Sequence, residues 1–129
     1  MGRTDQATRI TDLRTVGIPV TDQEEALTFY VDTLGFEKRL DVPLGAGKRW
    51  LEVAPPGAPT TIALVASDDG PPSGVETGIR LTTEDADADH ATLRSRGVDA
   101  DEILRWDGVP PMFRFRDQDG NGLVIVEQG

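Results

Sequence analysis

The chain has 129 residues, 37% hydrophobic and 28% charged, which is the composition of one folded domain with an ordinary core. It contains no cysteine, which excludes disulfides, a thiolate metal site and a cysteine nucleophile and suits a reducing cytoplasm. A formal net charge of −10 argues against binding to the phosphates of nucleic acids. The acidity either attracts a cationic small molecule or only keeps the protein soluble.

The first half of the chain predicts one helix among four strands. Residues 1–11 are polar and lack the apolar stretch of a secretory signal, so we expect a short flexible leader. An apolar strand over 13–20 leads into a helix over 22–34, whose apolar residues recur every three or four positions. Thr21 or Asp22 is a candidate cap for its start, and Gly35 is the candidate for its end. Three further strands are predicted at 36–44, 49–54 and 60–66.

The second half repeats this order after a linker. Residues 67–74 are rich in Asp, Gly, Pro and Ser and show no periodicity. A helix is predicted over 84–96, with acidic residues in its first turns, arginines in its last turn and Gly97 after it. Strands are predicted at 98–106, 112–116 and 123–127, and the stretch 117–122 reads as a tight hairpin turn. No run of about 18 apolar residues is present, so no membrane span is expected.

The element order predicts an α+β fold built from two βαβββ modules. A weak sequence echo at an offset of 62 residues supports the repeat, since Ala26 corresponds to Ala88 and Gly35 to Gly97. The predicted boundaries are a leader over 1–11 and one domain over 12–129. Within that domain, module one covers 12–66, the linker 67–74 and module two 75–128. Each module is a sheet with a helix on one face, so two facing sheets would enclose a cleft.

Three motifs in this order resemble the vicinal-oxygen-chelate family of glyoxalases, bleomycin-resistance proteins and extradiol dioxygenases. The first is a strand followed by Asp22 and a helix that contains Phe-Tyr at 29–30 and ends in Leu-Gly-Phe at 34–36. The second is the helix of module two with its flanks, over 80–98. The third is the hairpin over 113–121, in which Gln118 replaces the usual proline. The resemblance implies a curved mixed sheet around a cleft.

The same resemblance implies four metal-ligand positions, two in each module, that hold His and Glu in metal-dependent members. Here they fall on Thr15, Ala63, Gly78 (or Thr77 if the register slips by one) and Val124. These side chains are poor ligands for a divalent metal. The chain's single histidine, His90, lies on the second helix, where it is expected to be solvated. We therefore expect no metal and no other cofactor, although a carboxylate-only site stays open.

Strand parity suggests which side chains line the cleft. The candidate ligand-binding residues are Trp50, Glu52, Arg80, Met112 and Arg114. Trp50 would stack on a flat compound and Glu52, on the same face, would complement a cation. Arg80 would meet an anion or a carbonyl oxygen. The alternatives are a structural salt bridge for Arg80, and core or dimer packing for Trp50 and for Trp106, a second tryptophan predicted on a strand.

Three hypotheses follow from these observations. The first is a cytoplasmic small-molecule binding protein that uses no metal and holds an apolar or cationic compound in its cleft. Drug-sequestering members of the resembled family are homodimers with shared clefts, so a homodimer is expected. The second is a lyase, isomerase or dioxygenase with a non-standard metal site, which lacks an evident general base. The third is a structural or partner-binding module whose cleft is filled by side chains.

Overall fold

The computed structural model describes residues 8–67 and 74–128, which contain eight strands and two helical segments. The first half runs β1 (Thr15–Val20), α1 (Gln23–Thr28, continued as a π-helix over Phe29–Thr33), β2 (Glu37–Gly45), β3 (Lys48–Ala54) and β4 (Thr61–Ala66). The second half runs β5 (Glu76–Thr83), α2 (Ala86–Ser95), β6 (Asp99–Ala100), β7 (Met112–Arg116) and β8 (Gly122–Glu127). Residues 1–7 of the predicted leader and 68–73 of the predicted linker lie outside the described residues.

The strands form two four-stranded mixed sheets with the same topology. The order is β1-β4-β3-β2 in the first sheet and β5-β8-β7-β6 in the second. In each sheet the strand before the helix pairs parallel with the last strand of that half, and the remaining pairs are antiparallel. The predicted α+β fold of two βαβββ modules is therefore confirmed, as two open sheets rather than a closed barrel.

One hydrophobic core joins the helix-covered faces of both sheets. Ile18 and Leu51 come from the first sheet, Phe113 and Phe115 from the second, and all four are fully buried in the same cluster as α1 and α2 residues. Burying large apolar side chains is the main favourable term in folding. Because the covered faces share one core, the opposite face of each sheet points away from it.

The first helix begins after Asp22 and both helices end before the predicted glycines, whereas the second helix, predicted from residue 84, begins at Ala86 with Asp85 as its cap. The side chain of Asp22 accepts a hydrogen bond from the Glu25 amide (3.0 Å), and that of Asp85 accepts one from the Ala88 amide (3.0 Å). Gly35 and Gly97 follow the helices with φ of 85° and 82°, a conformation that side chains rarely adopt. The π-helical turn over Phe29–Thr33 was not predicted, because single π turns are rare in helices.

The strand predicted over 98–106 is wrong in its second half. The ladder stops after Asp99–Ala100, and beyond it Leu104 makes a single bridge to Met112. Trp106 therefore lies in a turn rather than on a strand, with 63% of its surface exposed. The turn at 106–109 and the prolines at 110–111, which cannot donate ladder hydrogen bonds, end the pairing.

The turn between β7 and β8 fastens the second half to the first. Asp119 accepts hydrogen bonds from the Thr21 amide (2.9 Å) and hydroxyl (2.7 Å), and the Tyr30 hydroxyl donates to Asp117 (2.8 Å). The Asn121 side-chain amide donates to the Pro19 carbonyl (2.9 Å). Burial and the negative charge of Asp117 raise the pKa of the Tyr30 phenol, which stays a hydrogen-bond donor at neutral pH. We call Asp117, Asp119 and Asn121 the inter-module clamp.

An ion pair on the β2–β3 hairpin gives a testable pKa. Arg49 binds both carboxylate oxygens of Asp41 (3.1 and 2.8 Å), and these hydrogen bonds lower the pKa of Asp41 from 3.8 to about 2. Arg49→Met is expected to raise the pKa of Asp41 towards 3.8, with Lys38 (3.2 Å) still holding it slightly lower. Carboxyl-carbon NMR titration measures this change.

The sign of the pH dependence follows from the lowered pKa. Asp41 contributes stability above its unfolded pKa and loses that contribution as the pH falls from 3.8 towards 2. The difference in stability between the wild type and Arg49→Met should therefore shrink over this window. An unchanged Asp41 pKa in the variant would show that Arg49 is not its cause.

Candidate functional site

The face of the first sheet opposite α1 carries two of the predicted binding residues. Leu51 and Val53 of β3 point into the core, so Trp50 and Glu52 point to the opposite face, which we call the first open face. Cross-strand register adds Ala63 beside Glu52 and Val42 beside Trp50. Trp50 and Glu52 are predicted to share a face, and the hydrogen bond between their side chains agrees with this prediction.

Glu52 is a buried carboxylate within a small polar network. Its side chain is 4% exposed, and its two oxygens accept hydrogen bonds from the Trp50 indole N–H (2.8 Å) and the Thr61 hydroxyl (2.8 Å). Thr61 also lies 2.7 Å from the hydroxyl of Thr15. The hydrogen bonds from Trp50 and Thr61 lower the pKa of Glu52 against the opposing effect of burial. Glu52 is thus ionised at neutral pH and fixes the orientation of the Trp50 ring.

The face of the second sheet opposite α2 carries the other three candidates. Val124 of β8 is the register partner of both Arg80 on β5 and Arg114 on β7. The neighbouring row is Thr82, Val126 and Met112. Strands lie about 4.8 Å apart, so the Cα atoms of the two arginines are about 10 Å apart across the central strand. Arg80, Met112 and Arg114 therefore share what we call the second open face, as their parity predicts.

A depression of about 370 Å³ lies on the second open face. It is lined by Arg80, Asp101, Glu102, Leu104, Trp106, Met112, Phe113, Arg114 and Val124. This volume lies within the range of small-molecule sites. None of its lining residues belongs to the first sheet, so the structure gathers the candidates into two groups, Trp50 with Glu52 and Arg80 with Met112 and Arg114.

The residues present do not fit the metal of the metal-dependent proteins that the sequence resembles. Thr15 and Ala63 lie on the first open face, but the Thr15 hydroxyl is engaged by the Thr61 carbonyl (3.0 Å) and Ala63 has only a methyl group. On the second open face Val124 has no atom that could bind a metal, and Gly78, in the irregular part of β5, has no side chain. Within residues 8–67 and 74–128, no three His, Asp or Glu side chains are grouped to hold a metal ion.

His90 has a structural position rather than a free one. Its Nε2 lies 2.8 Å from the Asp101 carbonyl oxygen, and its ring meets Phe113 edge to face with centroids 4.9 Å apart. The expectation of a solvated helix residue is only half met, because the imidazole is partly exposed and its two contacts join α2 to the chain after β6. It therefore supports one side of the depression.

Sequence reasoning missed Thr61, Asp101 and Leu104. The signal for Thr61 was present, since it lies two residues before Ala63 on β4 and so shares its face. Asp101 and Leu104 fall where the predicted strand does not exist, so parity gave no guide to their direction.

No helix in the described part of the chain is long and apolar enough to cross a bilayer.

Comparison with known proteins gives a family match along nearly the whole chain. Residues 12–125 match the model of the Glyoxalase/Bleomycin resistance protein/Dioxygenase superfamily. A curated relative, the uncharacterised protein YetH of Bacillus subtilis, is 29% identical over 123 residues, covering 92% of this chain and 99% of YetH.

Two solved structures are similar in both sequence and fold. TnmS3, an antibiotic binding protein from Streptomyces sp. CB03234, is 38% identical with a TM-score of 0.85, covering 95% of this chain and 100% of TnmS3. A protein from Sphaerobacter thermophilus, described as a member of the same superfamily, is 40% identical with a TM-score of 0.87, covering 94% of this chain and all of its own.

Proposed function

Because the chain belongs to the glyoxalase/bleomycin resistance protein/dioxygenase superfamily, we propose that it binds a small apolar or cationic compound without a metal. The observation that carries this proposal is the pair of open faces, which offer aromatic and apolar surface with a few fixed polar groups. The antibiotic-binding description of TnmS3, a similar protein, supports the same class of function. The absence of a metal from the site is supported by the residues at the positions that hold metal ligands in metal-dependent members. These residues are Thr15, Ala63, Gly78 and Val124.

The proposal includes a homodimer in which each cleft is shared by two copies. Within one chain the covered faces share a core, so the two open faces look outward and cannot face each other. Apolar side chains are left exposed on the first open face, with Val42 at 40% and Val65 at 37%, and near the second, with Leu104 at 45% and Trp106 at 63%. A second copy would bring the first open face of one chain onto the second open face of the other and enclose the ligand.

The first test measures native metal content and then melting temperature. Chelator-treated protein is heated with a panel of divalent metals and with a panel of apolar and cationic aromatic compounds, since a ligand of the native state raises its stability. We expect no stoichiometric metal, no shift with metals and a saturable shift with a compound. A stoichiometric metal that raises the melting temperature would contradict the proposal and favour a lyase, isomerase or dioxygenase.

Trp50→Ala is expected to weaken binding of the panel compound that gives the largest shift. The variant removes the aromatic surface of the first open face, and loss of such an anchor costs about 2 kcal/mol, or roughly 30-fold in dissociation constant. Isothermal titration calorimetry measures the change. Trp50→Phe, which keeps an aromatic ring but loses the hydrogen bond to Glu52, is the matched control and should retain part of the affinity. Unchanged affinity in Trp50→Ala would remove Trp50 from the site.

A further inference from the structure

We infer that the depression on the second open face binds the acidic, oxygen-bearing end of an aromatic compound through Arg80 and Arg114. The inference rests on the part of the proposed function that a small compound is bound without a metal, and it adds an anionic group to the apolar body of that compound. The compound would have an apolar body and, on the part that meets the second open face, a carboxylate or a similar anionic oxygen. This holds for any charge on the part that meets Glu52 of the first open face.

The carboxylates of the depression are already paired with arginines. Asp101 lies 3.2 Å from Arg116 and 3.9 Å from Arg114, and Glu102 lies 3.8 Å from Arg94. The side chain of Arg80, in contrast, makes no hydrogen bond or ion pair with residues 8–67 or 74–128. Arg80 is therefore a cation that lines the depression without a carboxylate partner among the described residues, although the chain as a whole is acidic.

Arg114 adds a second unused donor to the depression. Its Nη2 lies 3.3 Å from Glu76, but its Nε is buried and has no hydrogen-bond acceptor, since Asp101 is too distant at 3.9 Å. A buried donor without an acceptor costs free energy, which an acceptor from a ligand would recover. Glu76 holds the rest of the guanidinium in place.

The two guanidinium groups frame an apolar floor. They extend from the two strands that flank Val124 in a single cross-strand row. Leu104, Met112 and the exposed ring of Trp106 line the same depression. An aromatic ring would bury the exposed surface of Trp106 and place an attached carboxylate above Val124, within reach of both arginines.

Arg80 and Arg114 lie beside a position where the resembled family places a metal ligand. The resemblance places one metal-ligand position of metal-dependent proteins on Val124, and Arg80 and Arg114 are the register partners of Val124 on its two sides. Two guanidinium groups therefore flank a position that has no metal-binding side chain in this chain. They can hold an anionic oxygen with directed hydrogen bonds and need no ligand set.

The test uses three probes with one ring system and different charge: naphthoate, naphthylmethanol and naphthylmethylammonium. Binding to the full-length wild type, Arg80→Met and Lys38→Met is measured by calorimetry. Lys38→Met removes the same charge from the helix side of the first sheet, beside α1, and serves as the matched control. Melting temperatures verify folding, and Arg80→Lys keeps the charge without the planar fork if Arg80→Met unfolds.

We expect the wild type and Lys38→Met to prefer naphthoate over naphthylmethylammonium by about tenfold or more. Arg80→Met should lose this preference and keep its affinity for naphthylmethanol, whereas Arg80→Lys should show an intermediate preference. Equal affinity of the wild type for all three probes, or unchanged naphthoate binding in Arg80→Met, would overturn the inference and leave the proposed function standing. Failure of all three probes to bind would also overturn the inference, whereas the proposed function is tested separately by the compound panel.

Discussion

Asn121→Ala is expected to lower the free energy of unfolding by about 3 kcal/mol, because the Asn121 side chain makes four buried hydrogen bonds in the inter-module clamp. The residue is completely buried. Its Oδ1 accepts from the amides of Gly74 (2.8 Å) and Val75 (3.0 Å), and its Nδ2 donates to the Pro19 carbonyl (2.9 Å) and Asp117 (3.0 Å). Alanine would leave these partners unsatisfied, and each buried unsatisfied group costs about 1–3 kcal/mol.

Chemical denaturation measures this change, and the same turn supplies its control. Gln118 carries the same amide group, but its Oε1 is buried without a hydrogen-bond partner among the described residues. Gln118→Ala removes that unsatisfied oxygen and one bond to Asp119, so it should change the free energy of unfolding by less than about 1 kcal/mol. Equal effects of the two substitutions would show that the clamp does not join the modules.

The clamp marks a limit of sequence-based prediction. The Asp-Gln-Asp-Gly-Asn run was predicted to be a hairpin turn, and it is one, with the Gly120 amide donating to the Asp117 carbonyl (2.9 Å). Its second role depends on contacts with Pro19 and Thr21, about a hundred residues away, which no local pattern contains. The repeat of strand, helix and three strands was predictable because it is written in short-range periodicity.

The candidate site was predictable to the extent that it lies on regular strands. Alternation placed Trp50 with Glu52, and Arg80 with Met112 and Arg114, on the faces where the structure has them. It failed for Trp106, because the strand predicted there ends at Ala100. Alternation also could not show that the two faces of one chain look outward, since that depends on how the covered faces share a core.

Val42→Glu is expected to convert the proposed dimer into monomers and to abolish cleft binding. Val42 is the register partner of Trp50 on the first open face and is 40% exposed in the single chain. Covering this face with a second copy would bury the introduced carboxylate beside the ionised Glu52, which accepts its hydrogen bonds from Trp50 and Thr61. Desolvating this charge should cost roughly 3 kcal/mol, or roughly 100-fold in the dimer dissociation constant, because a facing arginine seldom repays the burial of a charge in full. Sedimentation velocity over a range of concentrations measures this change.

Ala91→Glu is the matched control for this substitution. It adds the same charge at an exposed position of α2, on the covered side of the second sheet, and should leave both the dimer and ligand binding intact. A dimer that persists in Val42→Glu would exclude the first open face as the interface. Monomers that still bind ligand with wild-type affinity would show instead that one open face suffices as the site. Loss of both properties together would mean that the cleft exists only where two copies meet, because each chain supplies one of its walls.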